Sequence, residues 1–90
     1  MDKFNILKDI TNTSDDNLLN HKGDKLNEED LMNNILKKVI ITQNNSDNIF
    51  FGIFLKIVNE NNKTYYELIK NDGQVIKVLN NTVEVFKFNK

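Results

Sequence analysis

Hydrophobic positions are unevenly spread along this chain, and the densest run is Ile49 to Val58, I-F-F-G-I-F-L-K-I-V. Read as a strand, it puts Ile49, Phe51, Ile53, Leu55 and Ile57 on one face and Phe50, Gly52, Phe54, Lys56 and Val58 on the other. Apolar residues on both faces predict protein cover on both, or a bend that turns each half inward. Gly52 is where such a bend costs least. Polar clusters at 44–48 and 59–62 bound the run. Around it, β-branched Val39-Ile40-Ile41-Thr42 predicts an earlier strand, and alternating segments predict later ones over 64–70, 74–79 and 83–88. Asn71-Asp72-Gly73 reads as a tight hairpin with Gly73 at positive φ, and Asn80-Asn81 as a brief interruption. Such short links place sequential strands side by side and antiparallel.

Upstream the period changes from two toward helical spacing. Asn27 is a suitable N-cap, Glu28, Glu29 and Asp30 fit the first turn of a helix, and Lys37 and Lys38 fit its last. Leu31, Ile35 and Val39 recur at spacing four with Met32 and Leu36 beside them, which predicts an apolar stripe facing the core. Asp2 is placed to cap a shorter first helix with Phe4 and Leu7 on one side. Residues 11–25 read as connector, with Ser14 to His21 offering a turn or two of helix anchored by Leu18 and Leu19. The expected fold is one α+β domain: an N-terminal helical arm and connector over 1–26, then a helix and a four- to five-stranded antiparallel meander over 27–90, bent or curled into a small barrel.

This layout over roughly residues 27–88, a helix and then five strands with a long bent second one, resembles the small SH3-like barrels, including the Sm-like RNA-binding proteins. Gly52-Ile53-Phe54-Leu55-Lys56-Ile57 echoes the glycine-led second strand of the Sm family, and Val78-Leu79-Asn80-Asn81-Thr82-Val83 echoes the segment before its last strand. The resemblance implies a barrel. It implies no binding residues, because Asn59-Glu60-Asn61-Asn62 stands where the family's base-binding Asp and Asn belong.

Ninety residues bound the chain to one small core. There is no Cys, so neither disulfides nor thiolate metal sites contribute. Ala, Arg, Pro and Trp are also missing while Asn, Lys and Ile abound, a bias toward AT-rich codons that points to an AT-rich genome, bacterial or phage among them. No apolar run approaches the roughly 20 residues of a membrane span, so a cytoplasmic protein without membrane association is expected.

Catalytic and metal templates find no match. His21 stands alone in a polar stretch and reads as a solvated residue. A calcium-loop reading of Leu18 to Glu29 puts Leu18 and Lys22 where oxygen ligands belong. The acids at 28–30 suit a helix N-terminus without a cation. With no phosphate-binding glycine loop, the expectation is no cofactor and no enzyme. Charge is unequally divided, net −4 over residues 1–36 and +3 over 37–90. One reading of the basic half is a nucleic-acid face built from Lys56, Lys63, Lys70, Lys77 and Lys87 with Tyr65 and Tyr66 between them. The lack of Arg and the acidic balance argue against it. The favoured reading is a small protein-interaction module, a regulator or inhibitor of the kind phages and mobile elements carry, whose partner is another protein or a second copy as a homodimer. Tyr65 and Tyr66 are consecutive and so face opposite ways, leaving one for contact; Phe4 and Leu7 on the arm are the second candidate contact.

Overall fold

The computed structural model describes residues 18–89. In chain order these form helix α1 (Leu18–His21), strand β1 (Lys22–Lys25), helix α2 (Glu28–Met32), strands β2 (Lys38–Gln43), β3 (Ile49–Glu60), β4 (Lys63–Lys70) and β5 (Val75–Leu79), a 3₁₀ turn (Asn80–Thr82) and strand β6 (Val83–Phe88). The strands make one six-stranded sheet in the order β1-β6-β2-β3-β4-β5. Every neighbouring pair is antiparallel.

The meander from β2 to β5 follows from its turns. Asn61 and Asn62 both take positive φ, 52° and 64°, the two-residue hairpin geometry whose twist matches that of its strands. Gly73 at φ 87° closes the next hairpin. There its N–H donates to the Lys70 carbonyl (2.9 Å), while the Lys70 N–H donates to the Gln74 carbonyl (2.8 Å).

β6 then crosses the sheet to pair with β2. Across a flat sheet β5 and β6 would lie roughly 19 Å apart at about 4.8 Å per strand, yet only Asn80–Thr82 joins them. The sheet must therefore curl. The inner core agrees: Ile76 and Val78 of β5 pack against the same cluster as Val83 and Val85 of β6.

The curl does not close, and the expected barrel gives way to an open sheet. β6 is bonded by β2 on one side and β1 on the other, so β5 cannot close against β6, and it does not pair with β1. The strand responsible, β1, lies in a stretch that reads as connector in the sequence. It holds its place because β6 presents bonding groups: Lys22 pairs with Phe88 and Lys25 with Phe86, and the Leu26 N–H continues the ladder to the Val85 carbonyl at 2.8 Å.

Both faces of the long apolar run are covered. On the inner face Phe54 joins Val39, Ile41, Tyr66, Leu68, Val83 and Val85 beneath Leu31 of α2. On the outer face Phe51 and Ile53 join Ile40 and Phe86 beneath Leu18 of α1. Leu19, the other expected anchor, is exposed.

The bend is not at Gly52. Gly52 stands in regular register between Val39 and Lys70, and the register slips between Phe54 and Lys56. The extra residue there sends both Phe54 and Ile57 to the inner face. Gly52 is required for another reason: a Cβ would collide with the Ile69 carbonyl oxygen and come 3.0 Å from Leu68 Cδ1.

Helix α2 begins as expected, with Asn27 and Asp30 forming a reciprocal capping box (2.8 and 3.3 Å). It ends at Met32, well short of Lys37 and Lys38. Asn33 and Asn34 turn their side-chain amides back on the carbonyls of Glu29 and Asp30 (3.4 and 2.7 Å), the local competition that makes Asn a poor helix interior residue. Leu36 then takes φ 65°, and its N–H reaches the Phe54 carbonyl at 2.7 Å. The expected core stripe is thereby broken: Leu31 and Val39 are buried, while Met32, Ile35 and Leu36 are exposed.

Candidate functional site

The sheet ends on β1 and β5, and a free edge carries unpaired backbone donors and acceptors that attract another strand. β5 reads V-I-K-V-L, with four apolar residues around one lysine. The hairpin bond between Lys70 and Gln74 sets the alternation along β5. Ile76 and Val78 direct their backbone groups to β4, while Val75, Lys77 and Leu79 direct theirs outward, the Leu79 carbonyl already accepting from the Thr82 hydroxyl at 2.7 Å. Val75 is 56% exposed. Among the described residues no strand pairs with the outer side of β5.

Lys77 is the residue that would guard such an edge, and it is drawn away from it. Its Nζ lies 3.0 Å from both carboxylate oxygens of Glu60, at the far end of β3, and 5.1 Å from the centre of the Tyr65 ring. Both partners lie inward of β5, the ring on β4 and the carboxylate beyond it on β3. The pair is a surface one, worth at most about 1 kcal/mol. Its consequence is positional, because it neutralises the one charge on the edge and folds it down over the sheet.

Beside this edge the curl forms a concavity of about 380 Å³. Ile49, Phe50, Ile76 and Val78 supply its apolar surface, and Gln43, Asn48, Lys70 and Asn71 its polar groups. Asn48 Nδ2 donates to Gln43 Oε1 at 2.9 Å, and Lys70 Nζ stands 5.7 Å from the Phe50 ring centre. Two of the apolar residues, Ile76 and Val78, belong to β5, so edge and concavity are continuous.

Tyr66 is buried on the inner face, edge-on to Phe54 at 6.3 Å. Burial, and then the nearby Glu28 carboxylate, raise its hydroxyl above the ordinary tyrosine pKa of 10.0. Tyr65 is half-buried on the outer face under Lys77. Phe4 and Leu7 lie outside the described residues. The five candidate lysines do not converge. Lys56 and Lys77 share the outer face with Glu67 between them in register, Lys70 leans over Phe50 on the inner face, Lys87 pairs with Val39, and Lys63 sits at the β3–β4 turn.

His21 is not the solvated residue its neighbours suggest. It stacks on Phe88 at 4.9 Å between ring centres, and its Nδ1 donates to the Asn89 carbonyl at 2.7 Å. Lys22 caps the Phe86 ring beside it at 4.1 Å. This cluster fastens β1 to β6 and so secures the other edge. Among the described residues no helix is long and apolar enough to cross a membrane. No family model, curated protein or solved structure matches the chain.

Proposed function

We propose that the protein is a non-catalytic module that binds a protein partner by accepting an added strand on β5. The observation that carries this reading is the apolar edge whose single charge, Lys77, is held down by Glu60. Strand addition takes its affinity from main-chain hydrogen bonds and its selectivity from alternate side chains. The concavity next to Ile76 and Val78 is placed to receive side chains of the incoming strand. The nucleic-acid alternative is weaker, because its lysines are dispersed over both faces and two of them, Lys56 and Lys77, flank Glu67 in register.

The test is affinity capture from the native host with three forms of the chain. A partner retained by wild type and by Lys63→Ala, a remote surface change, but lost with Val75→Lys supports the reading. Partners that bind all three alike, or steep salt-dependent binding of a labelled oligonucleotide with no protein partner, would overturn it.

A further inference from the structure

We infer that β5 is built to pair with β5 of a second copy of this chain, antiparallel about a two-fold axis through Lys77. This rests on the edge-binding reading and names its partner. V-I-K-V-L reads nearly the same in both directions, two apolar residues on each side of the lysine. An antiparallel pair centred on Lys77 therefore sets Val75 against Leu79 of the second copy and Ile76 against its Val78, each residue against one of its own kind.

The faces match as well. Ile76 and Val78 belong to the inner face of each sheet and pack against its core, so pairing makes the two inner faces continuous and buries what remains exposed of these side chains. Val75, Lys77 and Leu79 share the outer face, and theirs are the backbone groups that point outward. One patch thus serves both copies, as an isologous contact requires.

The two lysines at the axis are the expected objection, since like charges directly opposite destabilise a strand pair. Glu60 answers it. Each Lys77 arrives with a carboxylate on its ammonium group at 3.0 Å, and the carboxylate comes from β3, outside the contact. Glu60 is thus a positioning residue for association, acting through Lys77. Five residues a side make a contact smaller than the roughly 1,200 Å² of stable complexes, so the dimer is a weak and reversible one.

Sedimentation velocity of the full chain across roughly a hundredfold range of micromolar concentration tests this, the range matching the small contact. The expected result is a mass rising from 10.5 kDa toward twice that value. Val75→Lys should weaken association about tenfold, Glu60→Gln by a few fold, and Lys77→Thr should strengthen it by a few fold. Changes in opposite directions exclude misfolding as their common cause, and thermal melts of each variant check the fold. A single 10.5 kDa species over the whole range would overturn the inference. So would a dimer indifferent to Val75→Lys and Lys77→Thr. A monomer that still captures a Val75-dependent partner would sink the self-pairing and leave the edge-binding reading standing.

Discussion

The two edges of this sheet are built to opposite rules. β1 is four residues long, K-G-D-K, with a register slip against β6 and three charged side chains. Lys25 reaches toward Glu84 at 3.9 Å, and Lys22 toward Phe86. Short length, irregular pairing and exposed charge are the devices by which sheets discourage a further strand. β5 keeps regular register with β4 over its whole length, is apolar at four positions of five, and has its one charge neutralised from behind. The inward lean of the lysines does not separate the edges, since Lys22 and Lys25 also turn onto Phe86 and Glu84 of β6. What separates them is length, regularity of pairing and composition, three charges in four residues on β1 against one in five on β5, and that one is paired with a carboxylate two strands away.

The comparison breaks most completely in the strand that joins the two halves. Gly52→Val would drive a side chain into the Ile69 carbonyl at the end of the β3–β4 ladder, where β3 also pairs with β2. A loss of roughly 2–4 kcal/mol of unfolding free energy is expected by chemical denaturation, with both edges disturbed together. Next come matched charge changes at the edges. Val75→Lys should cost the tenfold in association given above, about 1.4 kcal/mol, whereas Lys25→Glu on β1 should leave the sedimentation isotherm within about twofold of wild type, as expected of an exposed ion-pair residue. Association lost equally from both edges would contradict the asymmetry. Asn27→Ala removes the α2 cap and should cost about 1 kcal/mol in thermal stability, with the dimerisation constant unchanged because neither edge is touched.

The smallest expected effect is alkaline. The folded Tyr66 holds its proton above the pKa of 10.0 that it has when exposed. Its contribution is fully present below that pH, and it is lost as pH rises from there through the raised folded value, where the unfolded chain has released the proton and the folded one has not. Stability should fall over that window, and Tyr66→Phe should remove this part of the slope in pH-dependent denaturation.

How much of this was legible beforehand depends on how local each cause is. The strands from β2 to β5 can be read from the 59–62 cluster, Gly73 and the period-two alternation, because a hairpin is specified by its own residues, although β3 runs on to Glu60 and the turn narrows to Asn61-Asn62. The start of α2 is likewise local to Asn27 and Asp30. Its end is not legible, because Leu31, Ile35 and Val39 fit a helical spacing; Asn33 and Asn34 break the helix by bonding back on it, and Val39 joins β2 instead. β1 carries no apolar alternation and exists because β6 offers it bonding groups, a cause some sixty residues away in the chain. The same pairing occupies the side of β6 against which a five-stranded barrel would close, so one non-local event accounts for both departures from the expected fold. At the candidate site, Tyr65 and Tyr66 do divide between the faces as consecutive strand residues must. Lys77 stood out as a cation, but its pairing with Glu60 appears only once β3, β4 and β5 lie side by side.

Amide hydrogen exchange at low and high protein concentration probes the unequal edges most directly. Val75, Lys77 and Leu79, whose backbone groups face outward, should gain protection as concentration rises, while Lys22 to Lys25 keep the rates they have in dilute solution. Protection at β5 that does not depend on concentration, or a gain at β1 equal to that at β5, would contradict this account.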